Sequence, residues 1–149
     1  MGSKLDEIMK NANKRFKEEI LTQGLSGYSY KRIPFTSPRM NYCTFGGIPI
    51  GKITEFYGEE HGGKTTTALD IVANYQNSGD NRDVLYIDAE NTFDVDWARK
   101  LCVDVSNIYI LQPKSQSAEE IFQIICDSVD TGEGGLWVLD SIGALLSAQ

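Results

Sequence analysis

Histidine occurs once and cysteine three times in these 149 residues. Cys43, Cys102 and Cys126 are odd in number and lack C-x-x-C spacing, so neither a disulfide framework nor a cysteine metal site is expected. A reducing cytoplasm is the simple reading. Long apolar runs are missing as well. No stretch approaches the roughly 20 residues that span a bilayer, and the opening Met1–Glu7 has no apolar signal core, so no membrane partner is expected. Internal repeats and low-complexity tracts are also lacking. Basic charge is scarce after residue 40. The first forty residues hold eight of the fourteen lysines and arginines and four of the twenty-one acids, a net +4. The rest nets −11, a poor surface for a polyanion. The remaining composition, 41% hydrophobic and 23% charged, is that of a soluble domain with room for one sizeable core.

What is present centres on Gly58-Glu59-Glu60-His61-Gly62-Gly63-Lys64-Thr65. These residues fit G-x-x-x-x-G-K-[ST], the spacing of a phosphate-binding loop. Lys52–Tyr57 before it is β-rich, and Thr66–Tyr75 after it repeats Ala68, Leu69, Ile71, Val72 and Tyr75 at helical spacing. A glycine-rich turn with a chance lysine has no need of that strand-loop-helix context. The context opens the loop onto a helix N-terminus, where unpaired N–H groups and the macrodipole both favour an anion. Lys64 adds a full charge for the phosphates, and the Thr65 hydroxyl a ligand for Mg2+.

Residues 4–20 read as an amphipathic helix, with Leu5, Ile8, Met9, Ala12, Phe16 and Ile20 on one stripe. The stripe suits either the chain's own core or a neighbouring subunit. Gly24 and Gly27 end it, Tyr28–Phe35 fits a short strand, and Pro34 and Pro38 indicate turns or an edge. Lys31, Arg32 and Arg39 read as a solvated basic cluster. Beyond the loop, strands are expected at 84–88, 108–111 and 136–141, with helices from about 94 to 101 and from the capping box Ser117-Ala118-Glu119-Glu120. That second helix is expected to bury Ile121, Ile124, Ile125 and Val129. Such alternation is the mark of an α/β fold with a mostly parallel sheet and helices on both faces.

Asp140 follows four apolar residues, Leu136–Leu139. A buried strand would bring it out at the ligand-binding edge of the sheet. Alone that pattern is weak; beside a phosphate loop it reads as a second Mg2+ ligand, opposite Thr65. Asp88 and Glu90 lie just past another strand. Either could activate a water, or be a solvated or capping acid, and Glu90 has the better reach. His61 reads as a loop surface residue, because phosphoryl chemistry needs no imidazole.

Taken together, Gly46–Gly58, the loop, Tyr86-Ile87-Asp88-Ala89-Glu90, Gln112-Pro113 and Val138-Leu139-Asp140-Ser141 make Phe45–Ala148 resemble the first half of the RecA recombinase ATPase core. The resemblance implies a P-loop NTPase fold of RecA type, with residues 1–40 as an oligomerisation helix and arm and 41–149 as the first half of the core. It implies ATP and Mg2+ as ligands: Gly58, Glu59, Glu60, His61, Gly62, Gly63, Lys64, Thr65 and Thr66 around the phosphates, Thr65 and Asp140 on the metal, and Lys64 and Glu90 in catalysis. Asp94 matches a position near the adenine amino group. Trp97 falls where the family stacks an aromatic on adenine, and an indole offers the same face, although helix packing could equally bury it. Glu59, His61 and Gly62 depart from the family's usual loop, and the departure fits a phage or mobile-element recombinase.

The implied activity is DNA-dependent ATP hydrolysis in homologous recombination, strand exchange and repair, with self-assembly into a filament and single-stranded DNA as partners. A RecA-fold replicative helicase or motor is the alternative enzyme, and a non-hydrolysing nucleotide-binding or assembly module the alternative class. The last residue, Gln149, falls nine after Asp140. The chain is therefore expected to be part of a longer protein, its DNA-binding loops lying beyond. The family places one further strand between those bearing Asp140 and the phosphate loop. The sheet is accordingly expected to be incomplete, or completed by exchange with a second copy.

Overall fold

The computed structural model describes residues 3–17, 30–80 and 82–145. The chain divides into two compact units, residues 1–31 and 32–149, so residues 32–40 fold with the larger unit.

The smaller unit contains helix α1 (Lys4–Phe16). Ser3 and Asp6 form a reciprocal capping box, Asp6 N donating to Ser3 Oγ at 3.2 Å and Ser3 N to Asp6 Oδ2 at 2.7 Å. The helix ends at Lys17, whose φ of +56° is left-handed. Leu5, Ile8 and Phe16 of the expected stripe are exposed. Ile20, Gly24, Gly27 and the start of the Tyr28–Phe35 strand lie outside the described residues.

In the larger unit, β1 (Arg32–Ile33) pairs antiparallel with β2 (Ile48–Pro49). Between them is α2 (Pro38–Cys43), where Ser37 caps and Pro38 occupies the first turn. Turns were expected here, yet Ser-Pro is itself a helix-start signature. Arg32 is no free surface cation: its guanidinium donates to Thr44 O at 3.2 Å and Gly47 O at 2.8 Å. Gly47 has φ +118°, and a Cβ there would lie 1.9 Å from Ile33 O. Only glycine closes this ribbon.

The main sheet is parallel, in the order β4 (Ile108–Leu111), β3 (Asp83–Asp88), β5 (Gly134–Asp140). Helices α3 (Lys64–Gln76), α4 (Val95–Lys100) and α5 (Ala118–Thr131) intervene in sequence, and both α3 and α5 pack on β5. The sequence expected this alternation, because short β-branched runs and helix-period runs follow one another. The core joins Leu69, Val72 and Tyr75 of α3 to Val84 and Tyr86 of β3, Ile33, Phe35, Ala98 and Val103. Gly135 lets β5 pass Tyr75, since a Cβ would meet the phenol oxygen at 1.6 Å.

Three expectations need correction. The β-rich segment before the phosphate loop is not a strand: residues 53–58 pair with nothing as a strand, Ile53 and Tyr57 are exposed, and Phe56 alone reaches the core, edge-on to Phe35 at 6.3 Å and 61°. A strand requires a partner, and β5 is joined only to β3 among the described residues. The direct pairing of residues 53–57 with β5, which the implied strand order forbids, is likewise not present among them. For the same reason β5 is half-buried along its length rather than fully enclosed. Helix α5 has its capping box, Glu120 N donating to Ser117 Oγ at 3.3 Å and Ser117 N to Glu120 Oε2 at 2.8 Å. Of its apolar face, however, only Ile121 is buried; Ile124 and Val129 are exposed and Ile125 half-buried.

Candidate phosphate-binding site

Residues 58–63 lead into α3, whose N-cap is Gly63 at φ +85° with no side-chain cap. The left-handed cap suits glycine. With no cap side chain, the first amides of α3 remain available to an anion. A Cβ built on Gly63 or Gly58 meets nothing within 4 Å, so room exists above the backbone. His61 is exposed at φ +59°. Lys64 folds back across the loop, donating to Gly58 O at 3.0 Å and Glu59 O at 2.8 Å. A shallow cleft of about 310 Å³ flanks the loop, lined by Met40, Glu55, Phe56, Tyr57, Gly62, Lys64 and Thr67.

Three strand ends converge beside the loop. Asp88 and Asp140 are opposite one another in the β3–β5 register, and Gln112 directly follows β4. Thr65 Oγ1 donates to Asp140 Oδ2 at 2.7 Å, which joins the loop to the end of β5. The same oxygen accepts from Tyr86 Oη at 2.8 Å. Burial first, then the hydrogen bond to Asp140 and the nearby acids, pushes the Tyr86 phenol well above its ordinary range. It therefore stays a donor.

Glu90 is exposed, and its Oε1 accepts from Ser141 Oγ at 2.5 Å. Ala89 N also donates to Asp140 O at 2.8 Å, tying the loop after β3 to the end of β5. Asp88 is different: only 2% exposed, it is not the solvated acid considered from sequence. It accepts from Thr92 N and Phe93 N, each at 3.0 Å, and from Gln112 Nε2 at 2.8 Å. Burial alone would raise its pKa, but these donors, Gln112 foremost, hold it below the ordinary carboxylate value. Asp88 thus fixes the turn that carries Glu90.

The structure therefore gathers Lys64, Thr65, Asp140 and Glu90. Asp94 caps α4, accepting from Asp96 N at 2.9 Å and Trp97 N at 3.0 Å. Trp97 is 41% exposed rather than buried as core. Among the described residues, no hydrogen bond or ring contact ties Asp94 or Trp97 to the loop. Tyr86 and the roles of Ser141 and Gln112 were not read from sequence. Ser141 and Gln112 directly follow their strands, and that position at the ligand edge was the available signal. Tyr86 looks like any core aromatic, so nothing local marks it.

No cluster of three His, Cys, Asp or Glu side chains is placed to hold a metal among the described residues. One hydroxyl beside one carboxylate nevertheless fits Mg2+, which keeps waters and phosphate oxygens and takes few protein ligands. No helix among the described residues is long and apolar enough to cross a membrane.

Residues 3–149 match the family model for the RecA N-terminal domain. Over 100 residues the chain is 43% identical to Protein RecA of Ureaplasma parvum, an alignment covering 67% of this chain and 29% of that one. Protein RecA of Aquifex aeolicus is 36% identical over 145 residues, covering 95% of this chain and 41% of the relative. Protein RecA of Chlorobium chlorochromatii is 37% identical over 124 residues, with 83% and 34% covered. The chain thus spans well under half the length of these curated relatives.

Proposed function

This chain belongs to the RecA family through its N-terminal domain, and on that premise we propose that it is the ATP-binding part of a DNA-dependent ATPase acting in homologous recombination, strand exchange and repair. The observation that carries the reading is the Thr65–Asp140 hydrogen bond, which joins a hydroxyl and a carboxylate suited to one Mg2+ across 75 residues of sequence. Bound Mg2+-ATP would supply the phosphoanhydride bond whose hydrolysis drives the cycle.

The chain's own residues have separable roles in this reading. Gly58–Thr66 surround the phosphates with backbone amides, and Lys64 exchanges two carbonyl acceptors for a phosphate oxygen, a stronger charge-assisted partner. Thr65 and Asp140 hold the metal. Ser141 engages Glu90 Oε1, which leaves Oε2 to orient a water and accept its proton. Asp94 and Trp97 face adenine in this proposal: both are exposed, and Asp94, which caps α4 through Oδ1, has Oδ2 left for the amino group. Departures at Glu59, His61 and Gly62 support a phage or mobile-element recombinase. Three exposed, free cysteines suit the reducing cytoplasm.

Within residues 1–40, the oligomerisation arm of this reading, the exposed Leu5, Ile8 and Phe16 of α1 would make the apolar contact, while residues 32–40 anchor it in the larger unit. The net −11 over residues 41–149 supports placing the single-stranded-DNA contact elsewhere in a longer protein. A second reading is a nucleotide-binding module that assembles without hydrolysing, favoured by the unpaired residues 53–58 in front of the loop.

Nucleotide binding and single-turnover ATP hydrolysis, measured on the wild type, Lys64→Ala and Glu90→Gln, separate these readings. Lys64→Ala is expected to abolish binding, whereas Glu90→Gln keeps binding and loses hydrolysis by roughly 10²-fold or more. Equal turnover by wild type and Glu90→Gln would remove Glu90 from its role. Binding without turnover in the wild type would favour the assembly module.

A further inference from the structure

We infer that the Tyr86 hydroxyl is a positioning group for the Asp140 carboxylate and sets how strongly this site takes a divalent cation. The inference rests on the nucleotide-site reading above. Tyr86 is opposite Val138 in the β3–β5 register, and Asp140 follows two residues later on the same face. The phenol therefore crosses to the very carboxylate that ends the neighbouring strand. Its ring is 1% exposed and held edge-on by Phe93, centroids 5.0 Å apart at 70°. A side chain so enclosed has one orientation, and that orientation puts Oη 2.8 Å from Asp140 Oδ2.

Asp140 has two anchors of different kinds. Thr65 is exposed in the first turn of α3, and in the proposed site its hydroxyl would turn to the cation, whereas Tyr86 belongs to the central strand. Both donate to Oδ2, so neither takes Oδ1. Tyr86 thereby keeps the carboxylate plane fixed while Thr65 changes partners, and Oδ1 remains presented to a cation or its water. Without the phenol, the carboxylate must be ordered at the moment the cation binds, which lowers affinity. Phenylalanine keeps the ring and its contact with Phe93 and deletes only the hydroxyl.

The test is a Mg2+ titration of N-methylanthraniloyl-ATP binding to the wild-type chain, Tyr86→Phe, Asp140→Asn and the double variant, repeated in EDTA. Tyr86→Phe is expected to raise the Mg2+ midpoint roughly ten-fold, the size of one hydrogen bond to a charged group. Binding in EDTA should be unchanged, and adding Tyr86→Phe to Asp140→Asn should have no further effect. An unchanged or lowered midpoint overturns the inference. So does an equal loss with and without Mg2+, which would make the hydroxyl merely structural. If the wild type binds no nucleotide under either condition, the site reading falls and takes this inference with it.

Discussion

At the scale of single residues, the acids of this site differ by what donates to them. Asp88 and Glu90 are two positions apart, and sequence could rank them only by reach. Asp88 is buried with three donors and Glu90 is exposed with one, so burial separates a structural carboxylate from the one proposed to act on water. The folded pKa of Asp88 is lowered from 3.8. Its contribution to stability is accordingly complete above the unfolded pKa and is lost as pH falls through the lower folded value. Asp88→Asn, which cannot carry the charge, is expected to cost on the order of 1–3 kcal/mol near neutral pH. It should also flatten the acid limb below pH 3.8. Urea unfolding of both proteins across pH 2.5–7 checks this, and parallel acid limbs would remove Asp88 from the account. The motif residues were legible because each spacing corresponds to a backbone requirement. Tyr86 was not legible, since its partner is 54 residues away.

At the scale of elements, capping and periodicity could be read more reliably than burial. The Ser117–Glu120 box was visible as four letters and formed as expected, because both partners sit within one turn. Ser117→Ala is expected to destabilise the larger unit by about 0.5–2 kcal/mol, seen as a lower midpoint in thermal or urea unfolding with nucleotide absent. A shift indistinguishable from zero would mean that α5 is held by packing alone. Which faces are covered could not be read in the same way. The apolar stripes of α1 and α5 were legible, but a stripe reports a need for cover and never its supplier. The segment before the phosphate loop makes the same point for strands. Its β-rich letters were plain, yet residues 53–58 lack the neighbour that would turn propensity into a strand.

For the molecule as a whole, stability should follow the sheet order. β3 is paired on both sides and contributes Tyr86 and Ile87 to the buried set, whereas residues 53–58 have no ladder and expose Ile53 and Tyr57. Native-state hydrogen exchange is therefore expected to be slowest at Val84–Ile87 and fast at 53–58. Strong protection across 53–58 would mean that these residues gain a partner in solution, as exchange with a second copy would provide; light scattering on the same sample then reports the dimer. The sequence by itself determined the α/β class, the alternation of strands and helices after residue 64, and the choice of Lys64, Thr65, Glu90 and Asp140 as candidates. Those follow from local periodicity and from motifs only a few residues long. Only the tertiary structure decided that β5 is half-covered, that Asp88 is a buried clamp and that Tyr86 reaches Asp140. Each depends on groups far apart in sequence, and burial and hydrogen-bond partnership exist only once the strands are side by side. Gly58–Thr65 could thus be recognised from its letters, but its setting between a sheet edge and an unpaired segment could not.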